Sequence, residues 1–343
     1  MRGLRRIVCA LCALVLTTLA AGSVAAAESI TPAQHRRGAE QTFLTYPEWF
    51  LVHSPAEYAE FVQTHAPSDF PWFGHIGQLW SSYAAVTRAT ADQPFNAGYH
   101  VMIMVIGIST TVEYALRAAY ETLIGRLSAL AMPPGMTAED RYAARAAQAY
   151  VDFIRVRPWY EFDFFGTLVG LWREPPAWGP GMLRKWERRY ALSTEYVVKA
   201  IYAWLIGLGT AASYEAARPD TVVLLDGLPP SVAEMRTLTV LALAPRGQAL
   251  VAVPRYAAFR DHALLLARGG ANFVEIAGNR GLILLSLRVP DAWSAAPAQT
   301  RVLFEQPILT RPGTKRVALV VRVAQLASTL RALGAQVEHI YDY

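Results

Sequence analysis

Cysteine is almost missing from this chain. Its 343 residues hold two, Cys9 and Cys12, both inside the first apolar stretch. A chain processed beyond that stretch has no thiol, which removes disulfides, thiolate–metal sites and cysteine nucleophiles together. Charge is scarce too, at 17% of residues, against about a quarter in an average soluble domain. The hydrophobic content of 53% excludes a disordered chain, which needs low hydrophobicity and high charge. Runs of basic residues are absent. The 32 Lys and Arg stand against 27 Asp and Glu, a net charge of +5, and are spread along the sequence. Nucleic-acid binders cluster their cations on one face or tail, so no nucleic-acid partner is expected. There is no G-x-S-x-G nucleophile elbow, no Walker A loop and no H-E-x-x-H zinc pattern.

The first 27 residues carry an export signal. Arg2, Arg5 and Arg6 form a basic start, Ile7 to Leu19 an apolar core, and Ala25-Ala26-Ala27 the small residues of a cleavage site. This style of signal, with the high Ala and Arg usage, points to a bacterial cell envelope.

Aromatic residues divide the rest of the chain. Eight of nine Trp and thirteen of sixteen Tyr lie between Tyr46 and Tyr214, whereas later apolar residues are mainly Leu, Val, Ala and Ile. The change predicts a domain boundary near Arg218-Pro219. Residues 28–92 read as periplasmic helices. Ser54-Pro55-Ala56-Glu57 matches a capping box with proline at the first helical position, and Thr45-Tyr46-Pro47-Glu48 repeats the logic one helix earlier, predicting two helix starts. Ile76, Leu79, Trp80 and Tyr83 form the apolar stripe of a further helix.

Two segments, 93–113 and 196–214, are expected to be transmembrane helices. The first has no Asp, Glu, Lys or Arg from Gln93 to Val112, a length that spans about 30 Å as a helix. The second carries Lys199 near one end, where it can snorkel. The alternative is a pair of buried helices in a soluble domain. Residues 114–195 hold eleven Lys and Arg, against three in 28–96, which assigns 114–195 to the cytoplasm and both flanking regions to the periplasm. Gly107, Gly207 and Gly209 suggest an antiparallel pair packed through small residues. Within 114–195, Thr137 with Asp140 caps a helix that Pro158 ends. The stretch around Trp159 and Phe164 has the composition of a membrane interface.

Residues 219–343 alternate strands and helices and predict an α+β domain. Strands are expected at 221–225, 237–243, 249–253, 272–276, 282–287, 301–304, 316–321 and 336–341, and helices at 256–268 and 323–333. A faint echo, strand–turn–strand–helix–Gly–strand, suggests two ββαβ repeats.

The chemical signals are weak. Five of the seven histidines fall between His35 and His100, and neutral imidazole suits a metal or haem, yet no ligand spacing occurs. The candidates are Glu48, His53, Glu113 and Arg117 for catalysis and His53, His75 and His100 for a metal. Capping or solvated roles compete with each. Glu113, Arg117 and Glu121 share a helix face and can pair in series. Gly207-Leu208-Gly209-Thr210-Ala211-Ala212 fits a dinucleotide fingerprint, but the chain before it is helix-like and too little helix follows. The sequence therefore predicts a non-enzymatic binding or scaffold protein of the bacterial inner membrane, without a cofactor, whose partners are membrane lipid and another envelope protein. Two alternatives stand. One is a membrane-bound metal- or haem-dependent enzyme using Glu48, His53, His75 and His100. The other is a lipid- or quinone-handling protein working around Trp159 and Phe164.

Overall fold

The computed structural model describes residues 29–38, 40–132, 135–213, 218–230, 232, 235, 237–244 and 247–341. The export signal expected at 1–27 lies outside them. The described residues form a helical half and a half built on two four-stranded antiparallel sheets.

The helical half begins with α1 (Gln41–Phe61), which is one unbroken helix with Pro47 and Pro55 inside it. The two expected helix starts are therefore wrong. A proline inside a helix loses a hydrogen bond and crowds the preceding turn, at a cost of about 3 kcal/mol. Tertiary packing offsets that cost, because α1 buries Phe43, Leu44, Tyr46, Trp49, Phe50 and Val52. The side chains expected to cap instead face the interior: Ser54 and Glu57 are both buried and bonded to other elements. Helix α2 (Trp72–Ala89) follows. Asn96 then caps α3, its side chain accepting from the Tyr99 amide. This helix runs through a π turn at Glu121–Gly125 as one 34-residue element, Ala97–Leu130. Thr137 and Asp140 form the expected reciprocal capping box on α4 (Ala138–Ile154). Then come α5 (Phe164–Arg173) and the long α6 (Met182–Ser213).

Among the described residues, α3 alone is long and apolar enough to cross a membrane. Residues 196–214 do not form a second span of that kind; as far as Ser213 they are the last part of α6, whose first half is heavily charged. That charge is buried. Arg184, Lys185, Arg188 and Arg189 pair with Glu121, Glu139, Asp140 and Glu187 and tie α6 to the π turn and to α4. The glycines do not join α3 to α6 either. A Cβ on Gly107 would sit 3.0 Å from Cη2 of Trp80 in α2, and one on Gly207 would meet nothing within 4 Å. The surroundings of Gly209 lie outside the described residues.

Segments expected on opposite sides of a bilayer touch. Helix α1 packs on α4, and Gln63 Nε2 donates to the Ala144 carbonyl at 3.3 Å. Beyond α4, the Arg155 carbonyl accepts from the Ala257 amide in the sheet half at 3.2 Å. No bilayer separates helices in contact.

In the sheet half every expected strand is present: β1 (Asp220–Asp226), β2 (Thr239–Ala244), β3 (Gln248–Pro254), β4 (Asn272–Ile276), β5 (Leu282–Pro290), β6 (Thr300–Pro307), β7 (Thr314–Arg322) and β8 (Val337–Ile340). Helices α7 (Ala257–Arg268) and α8 (Val323–Leu333) complete it. The repeat is one strand longer than its echo in sequence. Each unit is βββαβ, and the sheets have the same order, β2-β3-β1-β4 and β6-β7-β5-β8. Their irregularities also coincide. The β1–β4 register slips between Leu224 and Leu225, and β5–β8 between Ser286 and Leu287. The β2–β3 register slips between Val240 and Ala242, and β6–β7 between Val302 and Phe304. Bulges are specific local devices, so two shared bulges mark the halves as copies of one unit. Each helix packs on the last strand of the other unit, α7 on β8 and α8 on β4. Both sheets and both helices share one aliphatic core. The outer face of the second sheet, with Leu284, Ala318 and Val320, is covered by the aromatic face of α1.

Candidate functional site

Between α1 and the second sheet lies a buried polar chain. Arg316 on β7 holds Glu338 of β8 through two bonds, Nε–Oε2 at 2.5 Å and Nη2–Oε1 at 2.9 Å, and holds Glu57 of α1 at 3.0 Å. His53 Nδ1 lies 3.7 Å from Glu338, and its Nε2 is 3.1 Å from the Tyr341 hydroxyl. His75 of α2 sits 3.6 Å from Glu57 and 2.9 Å from Ser54 Oγ, which lies 2.6 Å from the Tyr114 hydroxyl of α3. Trp49 stacks on His339 at 3.8 Å.

Burial sets the charge states here. Desolvation pushes His75 and His339 down to about 3, helped at His75 by Arg316. His53 falls well below its ordinary value from burial and then from Arg316. Burial raises Glu57 despite Arg316. At Glu338 burial also acts upward, but Arg316 outweighs it and holds the carboxyl well below the usual range. All three imidazoles are therefore neutral near pH 7. Packed in this way, the chain clamps the helical half to the sheet half.

Tyr114 also forms part of the wall of a cavity of about 170 Å³. Four charges stand in it. Glu113 and Arg117 come from one face of α3, and Glu195 and Lys199 from one face of α6. They alternate in a closed ring. Arg117 contacts Glu113 at 3.0 Å and also Glu195, and Lys199 contacts Glu113 at 3.3 Å and Glu195 at 3.1 Å. Nine aromatic side chains line the remaining wall. Arg117 lies over the rings of Tyr58 and Trp72, and Lys199 over those of Tyr150 and Phe164. The ring of charges is net neutral and half-open, with Glu113 the most exposed at 40%. Ser109 of α3 and Tyr202 of α6 also line the cavity, with their hydroxyls 3.5 Å apart.

Of the residues singled out from sequence, Glu113 and Arg117 line this cavity. The expected ladder to Glu121 stops at Arg117, because Glu121 pairs with Arg188 at 2.7 Å. Glu48 is elsewhere, accepting from the Tyr99 hydroxyl at 2.6 Å. His53 and His75 belong to the clamp. His100 bonds the Tyr83 hydroxyl at 2.8 Å and stacks on Phe95. The structure does not bring the three histidines together, and among the described residues no three His, Cys, Asp or Glu gather as metal ligands. Trp159 and Phe164, the centre of the interfacial segment, do line the cavity. Sequence reading missed Glu195 and the phenols of Tyr58, Tyr150 and Tyr196. One signal was available: Glu113-x-x-x-Arg117 and Glu195-x-x-x-Lys199 share a spacing that puts acid and base on one helix face. Comparison with protein-family models, curated proteins and solved structures gives no match.

Proposed function

We propose that this chain is a non-catalytic binding protein of the bacterial cell envelope that lies against a membrane and presents its aromatic cavity to the lipid. One observation carries the reading: α3 is inside out. Its buried face is His100, Ile103, Gly107, Thr110, Tyr114 and Ala118, repeating every three or four residues. Its outer face is Val101, Val105, Ile108, Val112 and Leu116, all exposed. Only 28% of its most apolar stretch is buried inside the protein. A helix of a soluble protein turns its apolar stripe inward, and an exposed apolar face this long marks an interaction surface. The neighbouring end of α6 extends it with Val198, Ile201, Trp204 and Leu205.

Helix α4 exposes Arg141, Arg145 and Asp152. Charged groups of that kind do not face hydrocarbon. An exposed apolar face on α3 and α6 with exposed charge on α4 fits a body resting in the interface rather than threaded through the bilayer. The export signal read from residues 1–27 favours the periplasmic surface of the inner membrane, with the sheet half in the periplasm. Trp159 and Phe164 at the cavity favour lipid as the partner.

Flotation with liposomes tests this reading. The purified chain, freed of detergent, should float with vesicles, and Ile108→Asp with Ile201→Asp should abolish flotation while near-ultraviolet circular dichroism stays unchanged. A wild-type chain that remains soluble and unbound at physiological salt would refute it.

A further inference from the structure

The cavity has more polar capacity than the protein uses. Tyr58, Tyr150 and Tyr196 all line it, and among the described residues their hydroxyls have no hydrogen-bond partner. Tyr196 is only 6% exposed. Burial pushes Tyr58 up to about 12 and raises Tyr150 as well, which keeps both as neutral donors. Buried phenols normally find a partner. Three phenols around one space that make no bond within the protein can donate to a ligand's acceptor atoms.

The charge ring narrows the ligand further. Each of its cations already touches both of its carboxylates. An anion entering alone would bind Arg117 and Lys199 at the expense of Glu113 and Glu195, leaving excess negative charge in a poorly hydrated space. A lone cation would leave the reverse imbalance. A head group carrying one anion and one cation extends the alternation with every charge paired. Its phosphate meets Arg117, Lys199 and the phenols, while its ammonium meets Glu113 and Glu195.

We propose that the cavity binds the phosphoethanolamine head group of a zwitterionic phospholipid, with the acyl chains lying along the apolar faces of α3 and α6. The membrane source of the ligand rests on the proposed membrane placement; the head-group chemistry does not. Short-chain lipids separate the two, because dihexanoyl-phosphatidylethanolamine is soluble without a bilayer.

The test is calorimetric titration of the full chain in a non-ionic detergent with dihexanoyl-phosphatidylethanolamine and, separately, dihexanoyl-phosphatidylglycerol. The ethanolamine lipid should bind about tenfold or more tightly than the glycerol lipid, since the latter loses the charge-assisted bonds to the carboxylates. Glu113→Gln with Glu195→Gln should erase that preference. Tyr196→Phe removes only a hydroxyl without a protein partner, so it should leave the melting temperature unchanged and weaken ethanolamine-lipid binding several-fold. Equal affinity for the two lipids, tighter binding of the glycerol lipid, or no binding of either overturns the proposal. So does a Tyr196→Phe variant with unchanged affinity. Failure of liposome flotation alongside intact head-group discrimination would sink the membrane reading and leave this one standing.

Discussion

Acid should loosen the clamp between the two halves well before the carboxylates titrate. His75 and His339 are held neutral in the folded chain, with values pushed down to about 3, whereas an unfolded histidine titrates near pH 6.5. Below that pH the unfolded chain takes up protons that the folded chain refuses. A folded value below the unfolded one means stability that is full above about pH 6.5 and lost as pH falls. At pH 5.5 each such histidine costs about 1.4 kcal/mol, so the pair costs about 3 kcal/mol. His53 shifts the same way and adds to the loss. The groups facing these rings are Glu57, Ser54 and Tyr114 at His75, and Glu338, Arg316 and Tyr341 around His53. Trp49 and Glu338 flank His339. Glu338 is held low, so its own contribution is lost as pH falls through and below the usual carboxylate range, under the pH 5.5 of this comparison. Glu57 is raised and opposes the trend, because its folded form accepts a proton earlier than the unfolded chain. The assay is urea unfolding followed by tryptophan fluorescence in mild detergent at pH 7.5 and 5.5. Stability should fall by at least about 3 kcal/mol between them, and His75→Asn, though less stable at both pH values, should fall by about 1.4 kcal/mol less. Identical midpoints and slopes at the two pH values would refute the assignment of neutral buried imidazoles.

The same contacts carry other consequences. Arg316→Met leaves Glu57 and Glu338 buried without their shared partner and should cost about 3–5 kcal/mol by the same unfolding assay. Replacing both carboxylates with leucine in that background should recover most of the loss. Gly107→Ala puts a Cβ 3.0 Å from Trp80 and should stabilise less than Gly207→Ala, which meets nothing within 4 Å and should stabilise by about 0.5–1 kcal/mol through helix propensity. Thr137→Ala removes the reciprocal cap on α4 and should cost about 1 kcal/mol.

Local signals predicted elements well and long-range partners poorly. The strands of the sheet half were legible because their apolar runs are bounded by turns and glycines, and α4 because its cap and its period agree. The duplication was readable only as an echo. Its proof lies in registers and bulges, which depend on strands paired across long sequence separations. Pro47 and Pro55 misled because proline after a hydroxyl residue resembles a helix start, and only packing of α1 on the second sheet makes an internal proline tolerable. The second span failed for a related reason. The last part of α6 is uncharged enough to suggest a membrane helix, yet it continues a helix whose cations are neutralised by acids from α3 and α4. The candidate site was half visible. Glu113 and Arg117 could be read from one helix, but their counterparts Glu195 and Lys199 are about eighty residues away, and no local rule joins them. The clamp was hidden because Arg316 and Glu338 sit in strands far from Glu57.

The central claim is that the exposed faces of α3 and α6 meet lipid. With Cys9 and Cys12 replaced by serine, single cysteines at Val105, Ile108, Ile201, Arg145 and Asp152 can carry a fluorophore on the chain bound to liposomes. Nitroxide-labelled acyl chains should quench the probe at Val105, Ile108 and Ile201 and spare it at Arg145 and Asp152, while aqueous iodide should do the reverse. Iodide quenching at Val105 and Ile108 as strong as at Arg145 would contradict the account.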